Sequence, residues 1–128
     1  MRMEDVIAAA KEEDWEYVDG RIARICHDIE VQKRALQLLK DSDDNVRDLG
    51  ASILGKAHID SERFAAMRPL LRDVMIKDSN CYARYRAAFA LAEHGAGKYK
   101  KKVLEVLRQA VEDPDVAEIA REYLERLK

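Results

Sequence analysis

Asp41-Ser42-Asp43-Asp44-Asn45-Val46-Arg47-Asp48-Leu49-Gly50-Ala51-Ser52-Ile53-Leu54-Gly55 is the stretch on which the fold turns. Its first five residues are polar, and Asp and Asn side chains accept hydrogen bonds from the free N–H groups of a helix's first turn. The run therefore ends one helix and caps the next. Val46, Gly50 and Leu54 then recur every four residues, which places them on one stripe of the new helix, toward a core. The pattern returns downstream: Ala83, Ala87 and Leu91 follow Asp78, and Val116, Ala120 and Leu124 follow Asp113. A weaker set, Val18, Ile22 and Cys26, follows Asp14. First members lie 28, 37 and 33 residues apart, within the range of helix-pair repeats. The small residues in mid-stripe let two helices approach closely. A repeat of this kind predicts a layered binding surface but does not name what is bound.

Outward from that stretch the chain reads as helices throughout. Upstream, Val6, Ile7 and Ala10 share a face of a helix from about Glu4 to Glu12. Trp15 to about His27 carries Val18, Ile22, Ile25 and Cys26, although Gly20 inside it costs about 1 kcal/mol relative to Ala. Ile29 to about Lys40 carries Val31, Ala35, Leu36, Leu38 and Leu39. The central helix starts near Asp44 and closes at Gly55 or shortly after, where glycine can take a left-handed cap. Downstream, Ser61 to Lys77 presents Phe64, Met67, Leu70, Leu71, Val74 and Met75. Pro69 within it removes a donor and predicts a kink, or two shorter helices meeting near Arg68. Asn80 to His94 is ended by Gly95-Ala96-Gly97, and Tyr99 to Glu112 follows. Asp113-Pro114 reads as a cap with proline at the first position of an eighth helix.

Composition agrees with an all-α chain of one domain, 1–128, with units of approximately 1–27, 28–57, 58–95 and 96–128. Apolar residues make up 48% and aromatics only 6%, with Ala and Leu leading, as closely packed helices require. With 23 Lys and Arg against 25 Asp and Glu, no global field draws the chain to nucleic acid or anionic lipid, so nucleic acid is disfavoured as a partner. Two cysteines, Cys26 and Cys81, in no paired pattern suit reduced thiols and a cytoplasmic location. The N-terminus turns charged before an apolar export segment forms, and no window reaches the ~20 apolar residues of a membrane span.

The segments Asp41 to Gly55 and Asp78-Ser79-Asn80-Cys81-Tyr82-Ala83-Arg84-Tyr85-Arg86-Ala87-Ala88-Phe89-Ala90-Leu91-Ala92 resemble HEAT repeats, especially the short phycocyanobilin-lyase HEAT-like type. They share that family's acidic turn, Val-Arg, paired small residues and Leu-Gly. The resemblance covers nearly the whole chain and implies a right-handed α-solenoid of about four helix pairs, with first helices convex and second helices lining a concave face. It also implies a structural ladder in which Arg47 and Arg84 pair with acidic turn residues of adjacent repeats, Asp41, Asp78 and Asp113 being those residues. Ala117 stands at the arginine position of the last unit, so the ladder stops and the eighth helix acts as a cap.

Catalytic readings fare poorly. Asp41, Asp43 and Asn45 begin like a calcium loop, but Val46 replaces the turn glycine and Ser52 the bidentate Glu, so capping is the better role. The di-iron HEAT hydroxylases need His-Glu pairs where this chain has Asp48-Leu49 and Tyr85-Arg86. His27, His58 and His94 stand near helix ends without metal-ligand spacing. Cys26 and His27, as neighbours in a helix, point about 100° apart, which suits Cys26 to the core. Cys81 falls in a loop or in the first turn of a helix. Neither a catalytic residue nor a metal or cofactor is expected.

Two surfaces are candidates for binding. Lys98, Lys100, Lys101 and Lys102 form the single concentrated basic run and are the candidate anion site, although a solvated face is the better explanation for only four charges with a single Tyr99 among them. Tyr85 and Phe89 replace the Asp48/Ser52 and Glu118/Glu122 pairs of other units at positions expected to face out. With Tyr82 and Arg86 they form the candidate protein-binding spot, since exposed aromatics and Arg anchor interfaces. The alternative is that a neighbouring helix covers Tyr85 and Phe89. The reading is a non-catalytic scaffold that binds another protein through its concave face. An auxiliary, lyase-like component acting on a bound cofactor, and weak nucleic-acid binding through the lysines, are the alternatives. Four units are few for a solenoid, which leaves room for homo-oligomers that cover the end repeats.

Overall fold

The computed structural model describes residues 3–127 and is all-α. Met1, Arg2 and Lys128, which enter the reading of the N-terminus and the limits of the domain, lie outside it. Among the described residues there are eight α-helices and no strand: α1 Met3–Lys11, α2 Trp15–Ile25, α3 Ile29–Leu38, α4 Asp44–Lys56, α5 Ser61–Lys77, α6 Cys81–His94, α7 Lys100–Ala110 and α8 Ala117–Leu127, with a 3-10 turn over Gly97–Tyr99. No helix among them is long and apolar enough to cross a membrane.

The helix starts follow from side-chain caps. Asp14, Asp28, Asp43, Asp60 and Asn80 each accept a hydrogen bond from a first-turn N–H, at 2.8 Å for Asn45 on Asp43 and 3.0 Å for Ala83 on Asn80. The acidic turn residues do something else. The carboxylates of Asp41, Asp78 and Asp113 each accept from the N–H two residues on, at 2.9 Å in all three, so each closes a small turn that delivers the next residues to the helix. The repeat thus recurs in hydrogen bonding as well as in spacing.

The start of α8 departs from the expectation. Pro114 is not at the first helical position; it lies within a turn closed by the Val116 N–H on the Asp113 carbonyl, 3.1 Å. The fixed φ of proline suits the second position of such a turn, and the helix begins after it. α5 runs unbroken through Pro69 rather than splitting at Arg68. Pro69 and Ala65 are both exposed, so the carbonyl that loses its intrahelical donor faces water. α6 ends at Gly95, whose φ of 121° is open to glycine and strained for other residues; the Arg68 Nε donates to its carbonyl at 2.8 Å.

Helices pack in sequence order as α1 on α2, α3 on α4, α5 on α6 and α7 on α8, while the even-numbered helices also meet one another as α2 on α4, α4 on α6 and α6 on α8. One cluster of buried apolar side chains runs from Val6 of α1 to Ala120 of α8. The stripes read from the sequence form its spine: Val18, Ile22, Cys26, Val46, Leu54, Ala83, Ala87, Leu91, Val116 and Ala120 are buried, and Leu124 is half-buried. At Gly50 α4 approaches α3 closely, since a Cβ there would stand 2.8 Å from the Ala35 carbonyl oxygen. A Cβ on Gly20 would meet nothing within 4 Å, so that glycine lowers the helical tendency of α2 without a packing reason.

Candidate functional site

The even-numbered helices together line a cavity of about 430 Å³. α2 contributes Trp15, Val18, Asp19 and Ile22; α4 contributes Asn45, Asp48 and Ser52; α6 contributes Tyr82 and Arg86; Asp115 and Val116 enter from the turn before α8. Glu13 joins them from the turn between α1 and α2, where it adopts a φ of 59°, unusual for a residue with a side chain. Asn45, Tyr82 and Asp115 each stand one residue before the first member of a repeat stripe. The repeat therefore places a polar side chain at the same mouth in three successive units.

Asp48 is the charged group deepest in this cavity, 8% exposed. Burial raises its carboxyl above the ordinary range, opposed by the Arg86 guanidinium, whose Nε lies 3.6 Å away, and by the Ser52 hydroxyl, which donates at 3.1 Å. Arg86 in turn lies over the Phe89 ring. At the mouth, Tyr82 donates its hydroxyl to Asp115 at 3.1 Å, and hydrogen bonding to Asp113 and Asp115 holds its phenol protonated well beyond its usual range.

A second cavity of about 150 Å³ shares Ser52 and Arg86 with the first and continues along α4, α6 and α8 past Phe89, Ile119 and Tyr123. A third, of about 510 Å³, shares Gly55, Lys56 and Tyr123 with the second and ends at His58 and His94. Burial and Glu93 push the Tyr123 phenol up to about 12, its hydroxyl donating to Glu93 at 3.0 Å. The three depressions form one groove along the even-numbered helices.

Of the residues singled out for protein binding, Tyr82 and Arg86 line the first cavity, and Arg86 and Phe89 the second. The outward orientation expected of Tyr85 and Phe89 is corrected: they are 9% and 5% exposed. α6 has α4, α5, α7 and α8 around it, so hardly any of its circumference faces solvent. Tyr85 packs edge-on against Tyr82, and Phe89 stacks on Tyr123 of α8 with ring centroids 5.5 Å apart. Trp15, Asp48, Ser52 and Asp115 are not among the site residues expected from the sequence; the signal available for three of them is position, Asp115 just before a repeat stripe and Asp48 and Ser52 at the repeat offsets of Tyr85 and Phe89.

Of the ladder residues, Arg47 forms the predicted rung, donating from Nε and Nη2 to the Asp78 carboxylate at 2.7 and 3.1 Å. It also reaches Asp44 and the carbonyl of Asp41, whereas Arg84, expected to pair with an acidic turn residue of an adjacent unit, donates instead to the backbone carbonyl of Asp78 in its own unit at 2.8 Å. Lys98 lies in the 3-10 turn, and Lys100, Lys101 and Lys102 open α7; none of the four lines the cavities described above. Lys102 faces Glu105 at 3.7 Å, and Lys98 lies over the Tyr99 ring.

Beyond the groove, the fully buried Gln32 donates to the carbonyls of Cys26 and His58 and accepts from Arg63, tying α3 to the ends of α2 and α4 and the start of α5. Cys26 is buried, and burial pushes its thiol up, which disfavours the thiolate. Among the described residues no group of three or more His, Cys, Asp or Glu side chains converges to hold a metal ion. Comparison of the chain with protein-family models, curated proteins and solved structures found no match.

Proposed function

We infer that the chain is a short right-handed α-solenoid of HEAT-like helix pairs that binds another protein, without catalysis, along the groove of its even-numbered helices. The observation that carries this reading is the groove itself: cavities that share lining residues run across successive even helices and mix aromatic, apolar and charged side chains, the composition of interface anchors. The recurring Asx turns and the contacts of even helices with even helices support the solenoid arrangement. Two unpaired cysteines, one of them in the core, favour a reducing cytoplasm.

Ser52 lies at the join of the first two cavities and is half-buried, so an arginine there fills the groove while its charged end still reaches water. Affinity capture from the native cell is expected to recover a partner on the wild-type chain and to lose it, by roughly tenfold or more, on Ser52→Arg at unchanged helical content. Equal recovery on both would reject the groove as the binding face.

A further inference from the structure

The first cavity has a definite chemical sense. Trp15, Val18, Ile22 and Val116 provide apolar surface, and Tyr82 an aromatic edge. The charges that face it are Glu13, Asp19, Asp48 and Asp115 against Arg86 alone, four carboxylates to one guanidinium. Arg86 is already engaged with Asp48, the one buried carboxylate of the four, so Glu13, Asp19 and Asp115 are exposed and uncompensated by any other cation lining the cavity. The N-termini of the surrounding helices oppose this with roughly half a positive charge each. Asp14 and Asp43, however, cap α2 and α4 with carboxylates of their own.

Resting on the groove reading above, we propose that this cavity receives a basic segment of the partner protein and takes one of its lysine or arginine side chains. A long cationic side chain matches both parts of the cavity: its aliphatic stem lies on Trp15, Val18 and Ile22, and its charged head meets the carboxylates at the mouth. A phosphate-bearing ligand carries the same sign as the cavity and is repelled, which sets this groove apart from a nucleic-acid surface. A volume of about 430 Å³ accommodates a side chain together with the backbone that carries it.

Trp15 is the single tryptophan of the chain and lines the cavity, so its fluorescence reports occupancy directly. The probe is an acetylated peptide of alternating Leu, Lys and Arg without aromatic residues, titrated into the full chain. Its counterparts are the same peptide with Glu at every Lys and Arg, a single-stranded oligonucleotide, and spermidine. Saturable change with the basic peptide alone is expected, weakened about tenfold by Glu13→Gln combined with Asp19→Asn, and weakened again by raising salt from about 50 to about 300 mM. Both substituted residues are exposed, and neither caps a helix, so folding is retained. A response to the acidic peptide or the oligonucleotide, spermidine binding as tightly as the peptide, no response to any probe, or an affinity indifferent to the double substitution would overturn the proposal. If the partner is lost on Ser52→Arg but binds the Glu13→Gln/Asp19→Asn chain normally, the groove reading stands and the basic segment is wrong. A partner that ignores Ser52→Arg brings down both.

Discussion

Arg47→Met will lower the stability of the chain by about 3–5 kcal/mol, read as a shift of the urea midpoint followed by circular dichroism. The guanidinium is only 15% exposed and the Asp78 carboxylate 4%, so the pair is shielded from the water that makes surface ion pairs nearly worthless. Met fills a similar volume but leaves Asp78 charged, buried and without its two N–H donors. It also frees the Asp41 carbonyl, so two successive turns lose their shared partner. Asp78→Asn added to Arg47→Met should recover part of the loss, because the amide removes the uncompensated charge and keeps an oxygen to accept the Asn80 N–H. A single-variant cost below about 1 kcal/mol would mean that the rung behaves as an exposed pair.

Gly50→Ala is expected to destabilise by about 1–3 kcal/mol even though alanine is the better helix former by about 1 kcal/mol. The new methyl would stand 2.8 Å from the Ala35 carbonyl oxygen, 3.1 Å from the Leu38 Cβ and 3.3 Å from the Leu39 amide nitrogen. Two of those three are backbone atoms of the neighbouring helix and its end, so relief requires α3 and α4 to separate. Gly55→Ala is the internal control: its Cβ would meet Ala90 at 3.5 to 3.7 Å, ordinary contact, and helix propensity should then raise the melting temperature slightly. If Gly50→Ala melted at or above the wild type, the close approach of the two helices would be wrong.

The reading of helices from sequence succeeded where a single local cause decides the outcome. The polar run from Asp41 to Asn45 reads as the cap of α4, and Asp43 caps it; the starts read at Ile29 and Ser61 coincide with those of α3 and α5, whereas Asn80, read as the first residue of the sixth helix, is its cap. Pro114 misled because proline suits both the first helical position and the second position of a turn, and only the Val116 to Asp113 hydrogen bond separates the two. Tyr85 and Phe89 misled for a different reason. The repeat pattern specifies which face of a helix meets its own hairpin partner, but the burial of α6 is set by α4 and α8 on its flanks, which are distant in sequence. The groove was hidden for the same reason: Trp15, Asp48, Tyr82 and Asp115 come from four units and converge once the even helices lie side by side. Gln32 likewise looks like a surface residue in the pattern of α3, and it is buried because the carbonyls at the ends of α2 and α4 require its donor.

The most direct measurement is site-specific photo-crosslinking in the native cell, with benzoylphenylalanine in place of Tyr82, in the groove, or of Ile76, 37% exposed on α5. Binding along the even-numbered helices predicts a discrete crosslinked partner from position 82 and none from position 76. Crosslinks from position 76 with none from position 82 would contradict it.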